Sequence, residues 1–144
     1  MIEIDKDIFK APLDEVLYDV QHVGKFKTVL NLETHTKELI FGDGNDLFRG
    51  CYYNSVRLFD MAWSGVFPPK KKDVTAAMDV LKTEPKPIVF GCRHARERAG
   101  FLLAVYRMQV QGFSFSHAYA RWKQEGCRWP IYILWKSELR KREK

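Results

Sequence analysis

The sequence predicts an α/β fold, a small and mostly parallel central sheet flanked by helices within a single domain spanning 1–144. Three observations lead there. Short apolar runs with β-branched residues alternate with stretches at helical spacing. One long segment, "AGFLLAVYRMQVQ" (99–111), is apolar on nearly every face and reads as a buried central helix. And 144 residues with 46% hydrophobic content suffice for one core of ordinary size.

Pro12 precedes a helix, because Leu13, Val16, Leu17 and Val20 recur at helical spacing, and Gly24 stops it. "KTVLNLE" (27–33) suits a buried strand. Glycines at 42, 44 and 50 break the next stretch into a loop with a short helical turn. "CYYNSVRLF" (51–59) reads as a strand by composition. Pro68, Pro69 and three lysines mark a loop, after which Asp73 is placed as the cap of the helix "VTAAMDVLKT". "IVF" follows Pro85 and Pro87 as a short strand. The central helix ends at Gly112, Ser114 or Ser116 caps a further helix, and Pro130 opens a last amphipathic one.

No apolar run reaches the roughly 20 residues of a membrane span. The opening "MIEIDKDIF" is acidic and unlike a secretory signal, and three widely spaced cysteines (Cys51, Cys92, Cys127) do not form a disulfide framework. A reducing, cytoplasmic setting and a monomer are expected. The net charge of +6 gathers partly in "KKK" (70–72) and "KSELRKREK". No interleaved aromatics accompany the basic tail, so an anionic small partner is expected and nucleic acid is not. His22, His35 and His117 are scattered without metal-ligand spacing, and neither metal nor other cofactor is implied.

The chemistry concentrates in "VFGCRHARERAG" (89–100). A strand runs into Cys92-Arg93-His94-Ala95-Arg96-Glu97-Arg98, and a helix runs out. A loop of that length at a helix N-terminus turns backbone N–H groups toward an anion at the positive end of the dipole. Cysteines in such places ionise more readily than free thiols. Arg98, separated from the cysteine by five residues, has the fork of donors that suits two phosphate oxygens. The set is what a thiolate needs to attack a phosphomonoester.

C-x5-R between an apolar strand and a buried helix resembles the signature loop of the protein tyrosine phosphatase superfamily, in particular its compact atypical dual-specificity and phytase-like branch. "KTVLNLE", "FPPKKKDVTAAMDVL" and "RERAGFLLAVYRMQVQGFSFSHAYARWKQEG" extend the resemblance over most of the chain. It implies Cys92 as nucleophile, Arg98 as phosphate clamp and a phosphocysteine intermediate. It also implies a general acid about thirty residues before the cysteine. Asp60 is the candidate, although the paired prolines allow a second register ending near Ser64-Gly65. Arg93, His94, Ala95, Arg96 and Glu97 are the candidate phosphate- and substrate-binding residues, with Glu97 orienting the loop. A phosphoprotein, an inositol phosphate or a phosphoinositide is the expected substrate.

Three positions depart from the resembled loop. Gly91 stands for a bracing His, Ala95 for a Gly, and Ala99 for a hydroxyl residue that steadies the leaving thiolate. A phosphate-holding module without turnover is therefore carried as the rival reading, ahead of a sulfur-transfer domain. Trp63 is read either as a lid or as a packed aromatic, and Lys70, Lys71 and Lys72 either as bordering the cleft or as solvated. Cys51 and Cys92 are read as free thiols, with a protective disulfide between them under oxidation as the lesser reading.

Overall fold

The computed structural model describes residues 1–33 and 45–143. Five strands form one sheet: β1 (Ile2–Asp5), β2 (Ile8–Lys10), β3 (Thr28–Asn31), β4 (Arg57–Asp60) and β5 (Ile88–Gly91). Their order is β1-β2-β5-β3-β4, antiparallel between β1 and β2 and parallel elsewhere. The described helices are α1 (Leu13–His22), α2 (Asn45–Tyr53), α3 (Lys71–Thr83), α4 (Arg98–Gln109), α5 (Phe115–Gln124), α6 (Ile131–Leu134) and α7 (Lys136–Lys141).

Strand alternation divides the core. Val29, Val89 and Phe9 point toward α1 and α2, where Cys51 also lies. Leu30, Ile88 and Phe90 point the other way, into the larger cluster formed by α3 to α7. Phe101 of α4 is the centre of that cluster, with Trp122, Trp135 and Trp63 set edge-on at centroid distances of 5.7, 5.6 and 6.5 Å. Such aromatic pairs add about 0.5–1.5 kcal/mol each to the area they bury. Ten of the twelve residues of α4 are buried, as its uniformly apolar sequence requires.

Several sequence expectations needed correction. The opening hairpin was not foreseen: β1 and β2 are short and polar-flanked, and β2 gains its stability by pairing with β5. The run 51–59 is not one strand. Cys51 to Tyr53 complete α2, and only Arg57–Asp60 is extended, because Ser55 turns the chain at φ 57°. In the stretch expected as a loop with a short helical turn, residues 45–50 are helical and continue into Tyr53, while 34–44 fall outside the described residues. Asp73 is not the cap of α3 but its third residue, its carboxylate accepting from the Lys70 N–H at 3.1 Å. The last helix is two short ones meeting at Trp135.

Others hold as read. Ser114 caps α5, its hydroxyl oxygen accepting from the His117 N–H at 3.1 Å. Gly112 follows α4 at φ 78°, a left-handed conformation that suits glycine. Cys51 and Cys92 lie in separate clusters on opposite faces of the sheet, so they do not form the proposed disulfide. All three cysteines are buried free thiols. No described helix is long and apolar enough to cross a membrane.

Candidate active site

Register decides which residues meet. Asn31 pairs with Gly91 on one side and Asp60 on the other, so three parallel strands end in one row. Ligands of parallel sheets bind beyond such carboxyl ends. Cys92 is the first residue past that row, and it is buried. Its sulfur accepts the Ala99 N–H at 3.4 Å, which sets it against the first turn of the twelve-residue α4. The partial positive charge of that helix end favours an anion there.

The loop is polarised. Phe90 O accepts from Ala11 N at 3.1 Å, Gly91 O from Leu32 N at 2.8 Å and Cys92 O from Leu13 N at 3.1 Å. Arg96 O accepts from the Trp122 indole N–H at 2.9 Å. The carbonyl oxygens of Cys92 and Arg96, near the two ends of the loop, are thus drawn onto the scaffold. An anion nest needs that orientation, since outward carbonyls would repel the ligand.

Of the three departures, the first has a structural reason and the second carries a backbone cost. At Gly91 a Cβ would stand 2.1 Å from the Ala11 carbonyl oxygen, so no side chain fits while β2 lies where it does. Ala95 has φ 60° and is buried. The left-handed conformation costs an alanine about 1–2 kcal/mol. Ala99, the third, supplies no hydroxyl, but its backbone N–H is the group aimed at the sulfur.

A cavity of about 190 Å³ opens over the loop, lined by Glu33, Gly65, Cys92, Arg93, His94, Glu97, Arg98 and Arg128. Arg98 is fixed from two sides. One of its terminal nitrogens lies 2.9 Å from the Glu33 carboxylate and also donates to the Trp63 carbonyl oxygen at 3.2 Å. Glu97 precedes α4 and is paired with Arg128, whose pKa that carboxylate holds above the usual range. Arg128 follows Cys127, whose thiol burial pushes up to about 12.

The structure therefore brings together Cys92, Arg93, His94, Glu97 and Arg98 of the sequence candidates. Ala95 supports the loop from within the core, and Arg96 turns its stem toward Gly126. Asp60 does not line the cavity. It lies at the end of β4, its carboxylate accepting from Asn31 Nδ2 at 3.4 Å, and burial raises its pKa. Trp63 is a packed core residue, not a lid. Glu33 and Arg128 were missed. Glu33 ends the run "KTVLNLE" beside the cysteine strand, a placement that becomes a signal only once the strand order is known.

The comparisons bear on this arrangement. The core catalytic domain of the PP-IP phosphatase Siw14 from S. cerevisiae, in complex with citrate, superposes with a TM-score of 0.72 at 16% identity, over 94% of this chain and 82% of that one. Tk-PTP in its active form gives 0.70 at 14% identity, over 97% and 95%. The fold is that of the cysteine phosphatases. No family model matches the chain, and no curated protein matches it. The cysteine-phosphatase fold is thus carried by backbone arrangement with little shared sequence, and it puts Cys92 at the mouth of its parallel sheet.

Proposed function

We propose that the chain is a metal-independent, cysteine-dependent phosphomonoesterase. The observation that carries the reading is the placement of the Cys92 sulfur against the Ala99 N–H, beneath a cavity lined by Arg98. In the reaction, the Cys92 thiolate attacks phosphorus and the P–O ester bond breaks. Arg98 and the loop amides hold the charge gathering on the equatorial oxygens. The departing oxygen takes a proton from Asp60. Water then attacks the phosphocysteine, giving its proton to the Asp60 carboxylate, and the S–P bond breaks to return the thiolate. The Ala99 N–H and the dipole of α4 stabilise that leaving sulfur.

Two facts support Asp60 as donor. Partial desolvation raises its pKa, the direction that suits a proton donor. And β4 is two strands from β5, about 10 Å at the usual spacing, with both ending in the same row.

Arg93, His94 and Arg128 around the cavity favour a substrate with more than one anionic group, an inositol phosphate or phosphoinositide ahead of a phosphotyrosine protein. The likeness to Siw14, described as a PP-IP phosphatase, supports the same preference. A second reading, a phosphate-holding module without turnover, is favoured by Asp60 standing outside the cavity lining. Phosphate release from p-nitrophenyl phosphate, lost in Cys92→Ser, is the expected result. Phosphate binding with no release from the wild type would leave the module.

A further inference from the structure

Two exposed apolar segments flank the cavity. Gly65 lines it, and Val66 and Phe67 follow directly, Phe67 being 74% exposed. Arg128 also lines it and is followed by Trp129, 70% exposed, and then by Ile133 and Leu134 on α6. The two segments are tied together, since the Trp135 indole N–H donates to the Val66 carbonyl oxygen at 2.8 Å. Large apolar side chains in water are unremarkable singly, but five from two joined segments beside one opening form a patch.

The charge beside this collar is positive. Arg93 stands exposed at the opening, the exposed Lys70, Lys71 and Lys72 come soon after Phe67 in the chain, and the exposed Lys136 follows Trp135. Two nearby carboxylates are neutralised within the fold, Glu33 by Arg98 and Glu97 by Arg128. Apolar side chains that include a tryptophan, interspersed with cations, match the interface of an anionic bilayer. The tails take the apolar groups and the headgroups take the cations, each worth a modest attraction that adds over several residues. A purely apolar protein partner would leave the cations unmatched.

We propose that this collar docks the molecule on an anionic lipid surface, with the cavity facing the headgroups. The substrate is then a phosphorylated lipid headgroup presented by the bilayer. That second statement rests on the phosphatase reading above, and the docking does not.

The test pairs binding with turnover. Wild type and the double variant Phe67→Ser/Trp129→Ser are sedimented with vesicles of phosphatidylcholine alone and of phosphatidylcholine with phosphatidylserine. The wild type is expected to pellet with the anionic vesicles and to stay in solution with the neutral ones. The variant is expected to lose at least about tenfold in partition, since two large apolar groups no longer enter the interface. Release from a phosphoinositide in the same vesicles falls in parallel, while p-nitrophenyl phosphate is turned over as before. Ile133→Ser/Leu134→Ser repeats the test on the other segment, with thermal melting to establish that each variant is folded. A wild type that ignores anionic vesicles, or variants that pellet as it does, would overturn the docking and leave the collar to a protein partner. Collar-dependent vesicle binding without release from either substrate would uphold the docking and remove the phosphatase reading.

Discussion

The Arg98 guanidinium lies 2.9 Å from the carboxylate of Glu33, a side chain only 2% exposed. A pair this deep holds the arginine in one orientation, since swinging away would strand a buried negative charge. The Trp63 carbonyl oxygen, accepting from the same guanidinium, steadies it from a second side. Glu33→Gln keeps the shape and removes the charge. The expected outcome is a loss of about 1–3 kcal/mol in unfolding free energy. It comes with a roughly tenfold to hundredfold fall in kcat/KM for an aryl phosphate, as the clamp loses its aim. Urea unfolding and steady-state kinetics on the one variant check both.

Ala95 presents a closer balance. Glycine there relieves about 1–2 kcal/mol of left-handed strain. It also adds about 0.5–1 kcal/mol of unfolded-chain entropy and gives up a buried methyl worth about 0.8 kcal/mol. Ala95→Gly should therefore change stability by less than about 1 kcal/mol, with turnover retained. Ala95→Val meets the full penalty of a β-branched residue at φ 60°, and a marked drop in melting temperature is expected. Equal melting temperatures for valine and alanine would contradict the observed backbone.

Ala99 tests the second half-reaction. A serine hydroxyl there would join the backbone N–H in stabilising the thiolate as it leaves phosphorus. A charge-assisted hydrogen bond of about 1.5–3 kcal/mol corresponds to roughly ten- to a hundredfold in rate. Ala99→Ser is expected to raise kcat by that order and to diminish the pre-steady-state burst. A burst unchanged in amplitude would show that breakdown of the intermediate is not limiting.

Asp60 sets the sign of the pH dependence. Partial desolvation raises its pKa, so the protonated, donating form is lost as pH rises through that raised value. The rate on phenyl phosphate, whose leaving group needs a proton, should fall along that limb. Asp60→Asn is expected to abolish the limb and to slow phenyl phosphate by about 10²–10⁴-fold. The effect on p-nitrophenyl phosphate, with its better leaving group, should be smaller. Equal effects on the two esters would take Asp60 out of the proton transfer.

How much of this was legible in the sequence follows from how local each feature is. The Cys92 loop and α4 were readable because an apolar strand, a charged loop and a uniformly apolar helix are contiguous in the chain. The Ser114 cap and the Gly112 stop were readable for the same reason. β1 and β2 were not, because their stability comes from pairing with β5, nearly eighty residues onward in the chain. Glu33 and Arg128 approach the loop only through strand order and through the return of the chain after α5. Gly91 shows the limit most plainly. From sequence its missing side chain reads as a lost brace, whereas in the fold the Ala11 carbonyl oxygen occupies the space.

Gly100 and Trp122 form a lock between two helices. A Cβ at Gly100 would lie 2.6 Å from the indole, and the same indole reaches past it to the Arg96 carbonyl oxygen. Neither position is free to drift alone. A larger residue at 100 evicts the indole and releases the carbonyl, and a smaller residue at 122 releases it directly. Lineages of this chain should inherit the two as a unit, so that a change at one is tolerated only with a change at the other.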